Sequence, residues 1–202
     1  MIEVLGWVAA TLGMMTSVPQ LVRILRSGTS AGVSMVLWQL VAGATGAWAV
    51  HGFLSESPQM QGPNIFLSLC SAAIVVFVAR DRKLPVLRQF VMPLAVMLVL
   101  SGINVWLGAV VFGIAVVGPQ LVGQISQLKE LIVAPTVEGV SVLFLVLTLV
   151  QQILWFGFGM FKPDWALIIV AGTMTLSCIA NLAVFLVRRA RAANPTAVVA
   201  AR

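Results

Sequence analysis

Charge is what this sequence has least of. Only 9% of its 202 residues are charged, 60% are hydrophobic, and the mean hydropathy is +1.07. Soluble domains carry about a quarter charged residues. There is too little polar surface here to cover a water-soluble fold, so lipid is the expected solvent. That excludes large extramembrane domains, and with them most soluble enzymology and sequence-specific nucleic-acid reading. Acids are the scarcest charges: there are six, and Glu3, Glu56, Glu138 and Asp164 all fall at the ends of apolar runs or between them. Carboxylates inside a bilayer mark ion pathways and proton relays, and no apolar run carries one at its centre. The one histidine, His51, and the two separated cysteines, Cys70 and Cys178, make neither a metal set nor a nucleophile–base pair nor a disulfide framework. No enzyme, metal or cofactor is expected. The start, Met1-Ile2-Glu3-Val4, lacks the basic region of a signal peptide, so the run after it reads as a retained span.

What is present is a series of long apolar runs. A spanning helix needs about 20 such residues, and backbone in lipid leaves helices as the only option where strand-like alternation is absent. The runs are Val4–Leu25, Val33–Leu54, Pro63–Ala79, Val140–Phe161 and Trp165–Val187, plus one between Leu84 and Ile125 that is too long for a single helix. Ser101-Gly102-Ile103-Asn104 reads as a break in it, giving Leu84–Ser101 and Val105–Ile125. Seven spans with the N-terminus outside put eleven of the twelve Lys and Arg in cytoplasmic segments and leave only Lys162 outside. Cytoplasmic loops carry such an excess, which accounts for the net charge of +6 without a nucleic-acid partner. The last run has no lysine midway along it, which excludes a retinal protein.

The chain also repeats itself. Val117-Gly118-Pro119-Gln120-Leu121-Val122 echoes Ser17-Val18-Pro19-Gln20-Leu21-Val22, 100 residues earlier. Gly139-Val140-Ser141 echoes Gly32-Val33-Ser34 and Trp155 echoes Trp48 at a separation of 107, and Cys178 echoes Cys70 at 108. An insertion in the loop holding Lys129 and Glu130 would account for the jump. Spans one to three and five to seven then form two three-helix units, which the fourth span keeps parallel. The divisions are 1–79, a linker at 80–103, 104–187, and a basic tail at 188–202.

Pro19-Gln20 followed by Thr29-Ser30-Ala31-Gly32-Val33-Ser34, and Pro119-Gln120 followed by Thr136-Val137-Glu138-Gly139-Val140-Ser141, resemble the motif of the PQ-loop membrane family. The 3+1+3 layout resembles its SWEET branch, parallel-repeat transporters. The resemblance implies an all-α membrane protein of two PQ-loop repeats that carries a small solute, a sugar in the SWEET branch. It also implies a pocket lined by Trp48 and Trp155 with Asn64, which resembles the asparagine of that family's Pro-Asn pair. The bland alternative for tryptophan is anchoring at the membrane interface, the role expected of Trp106 and Trp165. By the repeat, Asn64 falls on Gly172, beside Thr173. Span six adds Gln151 and Gln152 where span two has Ala44 and Thr45, so the pocket reads as asymmetric, with amides and hydroxyls suited to a neutral polar solute.

Proline inside a helix removes a backbone hydrogen bond, so Pro19 and Pro119 read as hinges for alternating access. Gln20 and Gln120, costly in lipid unless bonded across helices, tie those segments to neighbours or face the path. The expected activity is facilitated transport in a bacterial inner membrane, with the C-terminus cytoplasmic and the partners a small solute, the lipid bilayer and, left open, a second copy of the chain. Two other readings stand beside it: a proton-coupled amino-acid carrier with Glu138 as the coupling acid, and a receptor that binds without transport. His51 is expected at the membrane interface.

Overall fold

The computed structural model describes residues 1–28, 30, 33–133, 137 and 142–193. Within them the chain folds into α1 Ile2–Ser27, α2 Met35–Leu54, α3 Pro58–Asp81, the single turn α4 Val86–Gln89, α5 Val91–Val133, α6 Val142–Phe161 and α7 Trp165–Ala193. No strand occurs among the described residues. Three stretches, Pro58–Asp81, Val86–Val133 and Trp165–Ala192, are long and apolar enough to cross a membrane; Ile2–Met15 and Leu145–Phe161 are shorter apolar stretches. Leu69, Leu98, Trp106 and Leu176 are exposed on the outside of the bundle. Soluble monomers rarely leave contiguous apolar surface of this kind uncovered, and the helices are compatible with a membrane protein.

The helices stop where local chemistry stops them. Gly28 takes a left-handed conformation (φ 66°) and returns its N–H to the Ile24 carbonyl, closing α1. Ser34 caps α2, its Oγ accepting from the Leu37 N–H at 3.2 Å. Pro58 opens α3, where its missing N–H is not needed. Asp164 opens α7, its Oδ1 accepting from the Leu167 N–H at 3.1 Å.

α5 is one helix in name only, because Gly108 inside it has φ 85° and ψ 172°, well outside helical values. Contacts on either side show that the chain turns back there. In the first limb (91–107), Val96 packs on Gly43, Met97 on Gly46, and Asn104 reaches His51. That limb therefore runs parallel to α2. In the second limb (109–133), Gly113 abuts Ala166, Gln124 meets Asn181, and the Leu131 carbonyl accepts from Arg188. It runs parallel to α7, which is antiparallel to α6, as α3 is to α2. The break expected at Ser101–Asn104 is thus corrected to Gly108. Ser101, Gly102 and Asn104 are helical, and Asn104 spends its side chain on a distant partner instead of a turn. The positive φ at position 108 is open to glycine and strained for any other residue. Among the described residues seven helical rods alternate in direction. One face gathers the N-terminus and the α2–α3 and α6–α7 turns (the N-terminal face); the other gathers most of the arginines (the basic face).

The two halves match in three dimensions. α3 packs against both α1 and α2, and α7 packs against both the second limb of α5 and α6. The register of this match is 107 residues throughout. Gly6 lies against Gln59 as Gly113 lies against Ala166. At the basic face Ile24, Met35, Val75 and Val78 form one apolar cluster, and Leu131, Val142, Leu182 and Phe185 form its counterpart. No insertion is needed. Pro19-Gln20 therefore corresponds to positions 126–127 and not to Pro119-Gln120, which lies seven residues, or about two turns, nearer the N-terminal face. Seven residues bring a helix back to nearly the same face, so the short identity was a similar motif at another depth.

Close approach of the second limb to α7 depends on Gly113. A Cβ there would stand 2.8 Å from the Ala166 Cα, against backbone that cannot move aside alone.

Candidate functional site

Between the two halves lies a cavity of about 250 Å³. Its wall takes Thr45 and Trp48 from α2, Met60 and Asn64 from α3, Gln120 from the second limb of α5, Gln151, Gln152 and Trp155 from α6, and Leu167, Val170 and Ala171 from α7. Ten wall positions form five pairs 107 residues apart: Ala44 with Gln151, Thr45 with Gln152, Trp48 with Trp155, Met60 with Leu167, and Asn64 with Ala171. The tryptophan pair is conserved between the halves. The polar groups are not, and this makes the two sides of the cavity chemically different.

The polar groups differ in what they have left to offer. The Thr45 hydroxyl donates to the Val41 carbonyl of its own helix at 2.7 Å. Asn64 donates Nδ2 to the Met60 carbonyl at 2.8 Å, which keeps Oδ1 as an acceptor toward the cavity. Gln120, Gln151 and Gln152 are half-buried, with carboxamides that make no hydrogen bond among the described residues. Gly13 faces the Gln151 amide: a Cβ at Gly13 would come within 2.7 Å of Nε2, the free end of a flexible side chain. Among the described residues no charged side chain lines this cavity. Such a wall orients a neutral solute through amide hydrogen bonds and covers its apolar faces with indole.

Trp48 is 7% exposed and makes edge contacts with Phe112 (centroids 5.0 Å apart) and His51 (5.4 Å). Trp155 meets Phe158 edge-on at 5.8 Å. Both indoles are therefore set by aromatic packing behind the wall. Trp106 and Trp165, by contrast, stand exposed on the outside.

The other residues singled out by sequence lie elsewhere. Thr173 does not line the cavity: its hydroxyl donates to the Ile169 carbonyl at 2.7 Å, and the 107-residue register places Ala171, not Gly172, opposite Asn64. Pro19 and Pro119 lie inside helices α1 and α5 on exposed faces. The Gln20 side chain and Glu138 lie outside the described residues. Among the described residues no group of three or more His, Cys, Asp or Glu could hold a metal ion.

Sequence reasoning missed a second constellation. His51 is buried, 3% exposed, in the last turn of α2, with Nε2 2.8 Å from Asp164 Oδ2 and Nδ1 2.9 Å from Asn104 Nδ2. Its ring stacks on Phe112 at 5.1 Å. Asp164 and Asn104 are buried as well. Nearby, Lys162 donates to the Glu56 carbonyl at 2.8 Å. Both contacts join the α2 end of the first half to the α6–α7 turn of the second. The sequence signal was parity: spans two and six end at the same face, so His51 and Asp164 share a depth although 113 residues apart. The basic face has ties within halves. Asp81 accepts from the Ser30 N–H at 2.7 Å and hydroxyl at 2.6 Å, and Arg188 donates to the Leu131 carbonyl at 2.7 Å.

No family model matches this chain, and no curated protein sequence matches it.

Proposed function

We propose that this is a seven-span membrane transporter of the 3+1+3, PQ-loop and SWEET-like kind, a facilitator for a small neutral polar solute such as a sugar. The observation that carries the reading is the uncharged cavity between two like halves, walled by Trp48 and Trp155 and edged by Asn64, Gln120, Gln151 and Gln152. Its volume of about 250 Å³ sits near the lower end for small-molecule sites, about 300 Å³. Ligand sites at the interface of internal repeats are the pattern of rocking transporters. Alternating rods, apolar exteriors and an arginine-rich face support a bilayer orientation with the N-terminal face outside and the basic face in the cytoplasm of a bacterial inner membrane.

In this mechanism the solute enters from one face and seats between the indoles. The halves then rock, and the other face opens. A neutral solute crossing down its gradient needs no ionisable group in the wall, and the described residues of the wall include none. Pro19 and Pro119 each interrupt the hydrogen-bond ladder of a first repeat helix. They act as flexible points at two different depths and not as a symmetric hinge pair.

The test is uptake into liposomes of labelled glucose, sucrose and a panel of neutral amino acids, with and without a pH gradient. Gradient-independent equilibration of a sugar supports the facilitator. Accumulation of an amino acid only under a gradient replaces it with a coupled carrier, and binding without flux replaces it with a receptor.

A further inference from the structure

Near the basic face the second half carries a recess of about 700 Å³ that has no part in the solute cavity. It lies between the end of the second limb of α5 and the last turns of α7. Ile132 forms one side, and Ala183, Val184, Val187, Arg188 and Arg191 form the other. We propose that it is a site for an acidic phospholipid of the inner leaflet, with the phosphate between Arg188 and Arg191 and an acyl chain along α7. The site rests on the bilayer orientation proposed above and not on transport.

The charged end is set before any lipid arrives. Arg188 donates Nη1 to the Leu131 carbonyl at 2.7 Å and to the Ile132 carbonyl at 3.2 Å, both in the last turn of α5. These bonds hold the half-buried guanidinium at the rim, so less side-chain freedom is lost when a ligand binds. Arg191 follows three residues later, on the same side of α7, and is exposed. Guanidinium groups bind phosphate oxygens through paired N–H donors. Basic pockets between membrane helices on the cytoplasmic side are where anionic headgroups are held.

The apolar end has the length of a leaflet. Leu176, Ile179, Ala183 and Val187 recur every three or four residues and are all exposed, so they form a stripe on one face of α7. From Val187 to Leu176 the stripe covers about 16 Å of helix, and half of a bilayer's hydrocarbon core is about 15 Å. Arg191 extends the stripe by one turn, at the depth of the headgroups. On α5, Ile125 lies two turns from Ile132 on nearly the same face, exposed as well, and continues the opposite wall.

The first half is the internal contrast. The 107-residue register puts Arg80 in the place of Val187, Asp81 in that of Arg188 and Leu84 in that of Arg191. Arg80 and Asp81 cancel in charge, and Asp81 accepts from Ser30. Only the second half therefore offers two arginines at these positions. A lipid seated there joins α5 to α7 beside the apolar cluster of Leu131, Val184 and Phe185, and braces the basic end of that half.

The experiment is native mass spectrometry of the full chain in detergent, titrated with phosphatidylglycerol and, separately, with phosphatidylcholine of the same chains. The first phosphatidylglycerol should bind about ten- to thirtyfold more tightly, the worth of one to two arginines beside an anionic headgroup. Arg191→Gln should lose part of that preference, and Arg188→Gln combined with Arg191→Gln should lose all of it. Ala183→Trp fills the recess from an exposed position and keeps both arginines; it should remove the preference too. Arg80→Gln should leave it intact. Equal binding of the two lipids by the unchanged protein overturns the site. So does a preference that survives Ala183→Trp or falls equally in Arg80→Gln, because that is diffuse attraction to a basic face. Displacement of phosphatidylglycerol by inorganic phosphate would make the recess a site for a soluble anion, and overturns the proposal as well. No solute enters the measurement, so a protein that moves no sugar still tests the site. A chain that stays dispersed without detergent would fail the bilayer reading before any lipid is added.

Discussion

Asn64 and Ala171 occupy the same place in the two halves of the molecule, and only Asn64 carries a group that can hydrogen-bond a solute. The cavity thus has twofold shape without twofold chemistry. α3 brings the acceptor on one side, and Gln151 and Gln152 of α6 bring amides where α2 has Ala44 and Thr45.

Asn64→Ala should weaken sugar binding by about three- to tenfold, the worth of roughly 1 kcal/mol for one hydrogen bond. Ala171→Asn should not mimic that loss. Fluorescence titration of detergent-solubilised protein with glucose and sucrose reads both. Equal effects at the two positions would remove the asymmetry.

The two tryptophans should separate stability from binding. Trp48 is buried against Phe112 and His51, whereas Trp155 is half-buried. Trp48→Ala should lower stability by about 3–5 kcal/mol, and Trp48→Phe by much less. Trp155→Ala should weaken binding with the smaller change in thermal unfolding. Tryptophans that served only as interfacial anchors would shift insertion and yield, and leave binding alone.

The turn in α5 makes a sharp prediction about two glycines. Gly108→Ala forces a side chain into φ 85° and should cost about 1–3 kcal/mol. Gly102→Ala places alanine in regular helix with open space beside it and should be neutral or stabilise by up to about 1 kcal/mol. Thermal melts of the two variants decide where the chain reverses; the opposite ranking would return the break to 101–104.

Replacing Pro19 and Pro119 with alanine restores a ladder hydrogen bond in each helix. The pair should insert normally and exchange solute more slowly. Because the two prolines lie at different depths, the single changes should be unequal. Unchanged exchange in the double variant would end the role of either proline as a flexible point.

Much of this architecture is readable from hydropathy because the long apolar runs fold as the long helices. The paired tryptophans were legible through the repeat, since equivalent depths place equivalent side chains on one cavity, whereas Asn64 was legible only through its likeness to the Pro-Asn pair of the SWEET branch. Three features were hidden for physical reasons. Gly102 and Asn104 look like a turn, yet Asn104 is polar because it serves His51. Pro119-Gln120 copies the words of Pro19-Gln20 two turns away, and only packing reveals the 107-residue register. The tie between His51 and Asp164 joins residues whose neighbours say nothing of each other, and only the folded bundle brings them together.

The central claim is that solute passes through the cavity between the two halves. Its most direct test is counterflow of labelled glucose and sucrose in liposomes, comparing the unchanged protein with Asn64→Ala and Gln152→Ala at matched insertion. The account predicts exchange without any ion gradient, reduced several-fold by each substitution. Exchange no faster than in empty liposomes, or exchange indifferent to both substitutions, would contradict it.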